Sequence, residues 1–194
     1  MRKLPRTRRL NEEIELRQVE EQDAEAFFLL IERNRQHLRT WLGWLDNVHT
    51  IEDERDFLRM SYSQFLEDRA ASYAILHQGK LIGNINFHPI NWQHGRAEIG
   101  YMLDSAHEGH GIMTLACQTL LTIAFDDLQL NKVEIRCATG NTRSCAIPRR
   151  LGFVEEGVLR HAELLYDHYI DHRLFGMLAS EWRARQAVSN WLAE

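Results

Sequence analysis

Tyr101-Met102-Leu103-Asp104-Ser105-Ala106-His107-Glu108-Gly109-His110-Gly111-Ile112-Met113-Thr114-Leu115-Ala116-Cys117-Gln118-Thr119-Leu120-Leu121 decides how the 194-residue chain is read. Its first residues close the run Arg96–Leu103, which has the character of a strand. From Gly111 onward, Ile112, Leu115, Ala116, Leu120, Ile123, Ala124 and Leu128 recur on one broad stripe, which predicts a helix reaching Leu128. The connection is short and contains two glycines, which let successive backbone N–H groups turn inward with no Cβ in the way. Together with the free donors and positive dipole of a helix N-terminus, such a loop makes a cradle for a pyrophosphate, and no lysine is obligatory. A tight turn entering an ordinary helix accounts for the same residues.

Other nucleotide motifs are missing. The Gly79-Lys80 pair is followed by Leu81, so there is no G-x-x-x-x-G-K-[ST]; Thr114 stands where a G-x-G-x-x-G would need its third glycine. Working outward, Ser72–His77 and Lys80–His88 read as strands joined by a tight Gln78-Gly79 hairpin. Ile14–Val19 alternates like a half-buried strand. Asp23 is a candidate cap for a helix carrying Ala24, Phe27, Phe28, Leu30 and Ile31. Thr50, with Asp53 three residues on, caps a second helix towards Leu66. Downstream, Val133–Cys137 reads as a strand, Asn141–Leu151 as a short helix stopped by Gly152, and Val154–Arg160 and Tyr169–Leu178 as two final antiparallel strands. The order β, α, α, β, β, β, α, β, α, β, β predicts a mixed sheet with helices packed on it, an α+β or α/β-type architecture. Order alone does not give function.

Composition narrows the class. Hydrophobic residues at 44% and charged residues at 26% describe a globular chain, and no apolar run approaches the roughly 20 residues of a membrane span. The basic start, MRKLPRTRRL, is not followed by the apolar segment of a secretory signal. Cys117, Cys137 and Cys145 lack C-x-x-C spacing, which fits neither a disulfide framework nor a zinc site and suits a reducing cytoplasm. Residues 1–9 carry five positive charges and no acid, so within the total of −5 the remainder carries a net −10. Such a body does not bind nucleic acid broadly; only the basic arm could touch RNA or an acidic partner, and short terminal charge runs are usually solvated. The chain reads as a basic arm (1–12), one domain (13–182) and a tail (183–194).

Glu108-Gly109-His110-Gly111-Ile112-Met113 resembles the coenzyme A loop of the GNAT acetyltransferases, whose pattern is Gln/Arg-x-x-Gly-x-Gly/Ala. Asn131–Cys137, Asn141-Thr142-Arg143-Ser144 and Arg150–Gly157 follow in that family's order and spacing. NRQHLRTWLGWLD (residues 34–46) and AEIGYMLD (residues 97–104) are similar to the branch that acetylates the N-terminal serine or alanine of ribosomal proteins. The resemblance runs from about Ile14 to Trp182. Three residues depart from the pattern: Glu108 replaces Gln or Arg, His110 stands where Lys or Arg is frequent, and Met113 replaces a small residue. A carboxylate beside a pyrophosphate is unfavourable, so Glu108 is expected to face outwards.

The resemblance implies a mostly antiparallel sheet splayed between two parallel strands, flanked by helices. It implies acetyl-CoA as cosubstrate and no metal, with direct attack of a primary amine in a ternary complex. Met102 or Leu103 would offer a backbone N–H to the thioester carbonyl, residues 108–113 would hold the coenzyme, and Asn141 would border it. Ser144, three residues after Asn141, matches the branch's acid to the leaving thiolate, and Glu163 its water-mediated base. Trp41 and Trp44 fall where the family builds its acceptor wall. Blander roles stand beside each: Ser144 as a helix-start serine, Glu163 and its neighbour His161 on a solvated strand, the tryptophans as core anchors. His168 and His172 do not converge on a metal at i, i+4 in a strand. The implied partner is the N-terminus of a ribosomal protein, and a homodimer is allowed. Alternatives are an acetyltransferase for a small-molecule amine, such as an antibiotic or toxin, and a non-catalytic acetyl-CoA-binding module.

Overall fold

The computed structural model describes residues 3–193, with side chains to residue 187. In chain order the elements are β1 (Thr7–Arg9), β2 (Ile14–Gln18), α1 (Ala24–Leu38), α2 (Ile51–Leu66), β3 (Ala71–His77), β4 (Lys80–Phe87), β5 (Arg96–Leu103), α3 (Ile112–Thr122), β6 (Lys132–Ala138), α4 (Thr142–Leu151), β7 (Val154–Leu165), β8 (His168–Leu178) and α5 (Ala179–Ala193). The eight strands form one sheet in the order β1-β2-β3-β4-β5-β6-β8-β7. Every pair is antiparallel except β5 with β6, where α3 makes the crossover.

Alternation along the strands sends side chains to two separate cores. From β3, Tyr73 and Ile75 pack with Ile85, Phe87, Ile99, Val133, Ile135 and Phe175 under α3, while Ala74 and Leu76 face Ala24 and Phe27 of α1 and Leu58 of α2. The β3–β4 hairpin turns through Gln78 (φ 51°) and Gly79 (φ 77°), the paired positive angles of a two-residue turn that follows strand twist.

The sequence reading holds for the fold class and for most elements. The differences are local. Thr7–Arg9, read as part of a solvated arm, pairs in register with Arg17–Glu15, and Arg8 bonds Asp127. Residues of the tail belong to α5; Met1, Arg2 and Glu194 lie outside the described residues. Asp23 makes no side-chain cap bond to α1; it instead receives the Glu20 N–H at 2.8 Å and the Arg17 guanidinium at 2.6 Å. The last strands are longer than read because β7 carries irregularities: register jumps from Leu159↔His172 to Glu163↔Ile170, so the bulging residues break the alternation. α3 ends in a π turn over Ile123–Asp127. Among the described residues no helix is long and apolar enough to cross a membrane.

α2 begins with a full capping box: the Asp53 N–H donates to Thr50 Oγ1 at 3.2 Å, and the Thr50 N–H to Asp53 Oδ2 at 2.8 Å. Thr50→Ala is expected to lower stability by about 1 kcal/mol, measured as the shift in urea midpoint at constant m-value.

Candidate active site

β5 and β6 pair at four positions, from Arg96↔Lys132 to Ile99↔Ile135. Beyond them β5 continues to Leu103 against β4, and β6 to Ala138 against β8. The two strands therefore part, and the facing backbone groups of Gly100–Leu103 have no strand opposite. A cavity of about 740 Å³ lies on the side of α3 and α4, and another of about 670 Å³ on the side of α2 and β4. They share Trp41, Leu42, Tyr101, Met102, Asn141 and Ser144, so the cavities meet in the parting of the strands.

The larger cavity is bounded by the glycine loop. Asp104 accepts the Ala106 N–H at 3.2 Å and opens a 3₁₀ turn over Ser105–His107. Gly109 (φ 82°) and Gly111 (φ 76°) take left-handed conformations, and no heavy atom lies within 4 Å of where a Cβ would stand on either. The first bond of α3 is the Leu115 N–H to the Gly111 carbonyl at 3.0 Å. The N–H groups of Ile112, Met113 and Thr114 thus head the helix without intrahelical acceptors, in a space the missing Cβ atoms leave open. This donor set fits an anionic pyrophosphate. Gly109, Gly111, Ile112 and Met113 line the cavity with Met102 and Leu103; His110 does not. Glu108 does not face outwards as expected. It lines the cavity, with Oε1 2.7 Å from His37 Nε2 of α1 and Oε2 bonded by Arg143 of α4. The His37 ring and the Arg143 guanidinium on the two flanking helices draw the carboxylate across the mouth.

At the junction, Asn141 Oδ1 accepts the Ser144 N–H at 3.0 Å and so caps α4, leaving the serine hydroxyl free for side-chain contacts. Ser144 Oγ lies 3.0 Å from the Tyr101 hydroxyl and donates to Cys137 Sγ at 3.2 Å. Burial holds the Tyr101 phenol well above its ordinary pKa and pushes the Cys137 thiol up to about 12, so both keep their protons.

The smaller cavity is aromatic and acidic. Trp41 and the exposed Trp44 line it, as do Phe57 and Met60. Glu163 reaches it from β7, its Oε2 3.1 Å from His172 Nε2 on β8. Glu98 is held by Arg136 at 3.1 Å. Glu54 is 3% exposed and also lines the cavity. Burial, with Asp53 beside it, pushes its carboxyl from the ordinary 4.5 up to about 7.

A junction of this kind, with anion-cradling N–H groups on one side and carboxylates on the other, suits transfer between a phosphate-bearing donor and an amine. The family described as the acetyltransferase (GNAT) domain matches residues 13–154. The chain belongs to the GNAT acetyltransferase family. Accordingly it is an acetyl-CoA-dependent N-acetyltransferase. Among GNAT relatives, the ribosomal-protein-serine acetyltransferase of Escherichia coli (strain K12) is 33% identical over 172 residues, covering 89% of this chain and 96% of that one. The microcin C7 self-immunity acetyltransferase MccE, solved with acetyl-CoA and AMP, superposes with a TM-score of 0.86 at 29% identity over 91% of this chain and 98% of its own. RimL, a ribosomal L7/L12 α-N-protein acetyltransferase solved with coenzyme A, gives 0.86 at 28% identity over 89% and 98%.

Of the residues singled out by resemblance to GNAT proteins, Trp41, Trp44, Met102, Asn141, Ser144 and Glu163 come together along the smaller cavity. His161 does not: it sits at φ 50° in the β7 bulge, stacked on Tyr169 with centroids 5.2 Å apart. His168 bonds its neighbour Asp167 at 2.9 Å. Sequence reading missed Tyr101, His172 and Glu54. Only Glu54 left a trace: it falls with Leu58, Ser61 and Phe65 on the buried face of α2.

Because the folded state holds the Glu54 proton more tightly than the unfolded chain, its contribution to stability is full below pH 4.5 and is lost as pH rises through about 7. The loss amounts to roughly 3 kcal/mol. Urea titrations at pH 5 and pH 8 should show that fall in the parent protein and a markedly smaller one in Glu54→Gln. Glu108→Gln releases Arg143 and removes a negative charge from the mouth of the larger cavity. Calorimetry should show acetyl-CoA binding as tight as before or tighter, by no more than about 1 kcal/mol for a partly exposed charge; a large loss would assign Glu108 to holding the loop.

Proposed function

We propose that this enzyme acetylates the N-terminal amino group of a protein beginning with serine or alanine, with a ribosomal protein as acceptor, by direct attack in a ternary complex. The observation that carries this reading is the meeting of the two cavities at Tyr101 and Ser144, where the strands part. Acetyl-CoA would lie in the larger cavity with its pyrophosphate on the N–H groups at the head of α3, and its thioester would supply the acetyl group. The acceptor terminus would enter between Trp41 and Trp44, whose rings bury a flexible segment well. The relatives named for ribosomal-protein acetylation support the acceptor class.

Within that arrangement each residue has a task. Glu163 takes a proton from the acceptor's ammonium through a water, which an α-amino group with a pKa of about 7.7–8.0 makes easy near neutrality, and the freed amine attacks the thioester carbonyl carbon. A backbone N–H near Met102 or Leu103, on the unpaired edge of β5, donates to the carbonyl oxygen as negative charge develops there. As the new C–N bond forms and the C–S bond breaks, the nitrogen loses its second proton through the same water to solvent, and Ser144 Oγ gives its proton to the departing sulfur. The Tyr101 hydroxyl, 3.0 Å away, passes a proton to Ser144 Oγ and regains one from solvent, so that both hydroxyls end the cycle protonated. His172 holds Glu163 in place.

Positioned acids and bases contribute about 10²–10⁴-fold. Ser144→Ala should lower kcat by that order at every pH at which the enzyme is stable, with acetyl-CoA affinity preserved. Glu163→Gln should also lower kcat, but the deficit should shrink above about pH 8, where the amine arrives deprotonated. The assay is thiol release with Ser- and Ala-initiated peptides. Parallel pH profiles for the two variants would make Glu163 a positioning residue, and full activity in both would remove them from the chemistry.

A further inference from the structure

Four carboxylates line the smaller cavity, and three of them have partners. Asp53 receives the backbone N–H groups of His49 and Thr50 at 2.9 and 2.8 Å. Glu98 is bonded by Arg136, and Glu163 by His172. Glu54, the most deeply buried of the four, has no hydrogen-bond or ion-pair partner among the described residues. The cavity's basic side chains offer it none: Arg136 is held by Glu98 and Glu134, His172 by Glu163, and His88 is not bonded to it. A buried carboxylate left without a partner is costly, and that cost falls away when a cation meets it. The approach to Glu54 is apolar, because Phe57 and Met60, one turn and two turns along α2, leave 43% and 54% of their surfaces exposed on the same cavity. A charged head on an aliphatic stem matches that lining.

We propose that Glu54 is a specificity-determining residue that pairs with a second cationic group of the acceptor, an alkylammonium or guanidinium on a short aliphatic stem, while the reacting amine sits at the junction by Ser144. The inference rests on the reading of this cavity as the acceptor site. Two sources carry such a group: a lysine or arginine side chain just after the reactive N-terminus of a peptide, and a polyamine. In both, the cation converts an isolated buried carboxylate into an ion pair inside a site of low polarity, where one charge too few is penalised strongly.

Calorimetry in the presence of coenzyme A decides it with two matched pairs of probes: Ser-Lys- and Ser-norleucine-initiated tetrapeptides, and 1,5-diaminopentane with pentylamine. In at least one pair the member that carries the second cationic group should bind the parent protein tenfold or more tightly than the mate that lacks it, and Glu54→Gln should bring that ratio close to one. The pair that shows the effect identifies the source. Equal binding within both pairs, absence of binding by all four, or a ratio that survives Glu54→Gln overturns the proposal. Glu54→Asp, which keeps the charge on a shorter stem, should retain part of the discrimination; this variant serves if the glutamine protein does not fold. Turnover of the two peptides is measured separately: peptides that bind with discrimination but are never acetylated would count against N-terminal acetylation and leave the role of Glu54 standing.

Discussion

Everything in this site depends on two parallel strands that stop pairing. β5 and β6 share four residue pairs and then diverge, each still bonded on its outer side, to β4 and to β8. A sheet cannot leave buried backbone groups unpaired without something to meet them. The divergence therefore creates an opening whose edges are already polar and directional. It also fixes what surrounds the opening, because the chain leaves β5 into the glycine loop and α3, and leaves β6 into Asn141 and α4. Two helix N-termini are thereby brought to one side of the gap, α2 and the β7–β8 ribbon close the other, and α1 borders both.

Inside that frame, polar groups are arranged by what burial does to them. Tyr101 and Cys137 are driven towards their protonated forms, so the hydroxyl of Ser144 lies among donors that hold their hydrogens at neutral pH. On the acceptor side, acids are settled by bonds to the fold itself, to backbone in Asp53 and to side chains in Glu98 and Glu163. The asymmetry between a side rich in donors and a side rich in acceptors is the one that the proposed proton flow from an ammonium to a thiolate would require.

Much of this was legible in the residues. The glycine pair followed by a 3.6-residue apolar period could be placed between a strand and a helix without coordinates, and Asn141 and Ser144 are three apart, which sets them together at a helix start. The capping box of α2 was visible as Thr50 and Asp53. Less accessible were features produced by distant contacts. A three-residue strand made of Thr7, Arg8 and Arg9 has no apolar alternation to announce it, and its pairing comes only from lying beside β2. The bulge after Leu159 hides the periodicity of β7 from any alternating template. Glu108 was read by its own charge alone, whereas its orientation is set by His37 and Arg143, respectively 71 and 35 residues away. Glu54 sits in an acidic run, Glu52-Asp53-Glu54, where only its spacing from Leu58 and Phe65 separates it from its solvent-facing neighbours.

The carboxylate of Glu108 holds α1 with one oxygen and α4 with the other. α1 leads to Trp41, which lines both cavities, and α4 begins beside Asn141 and Ser144, which line both as well. The two cavities are consequently linked through one side chain, in addition to the sheet beneath them. Linkage of this kind is reciprocal: whatever free energy a ligand in one cavity adds to or removes from the His37–Glu108–Arg143 bridge appears, equal in size, in the affinity of the other cavity for its own ligand. Because its outer partner Arg143 is open to solvent, that coupling is screened by salt. Ionic strength then becomes a means of adjusting how strongly the two substrates sense each other, separate from how tightly either one binds.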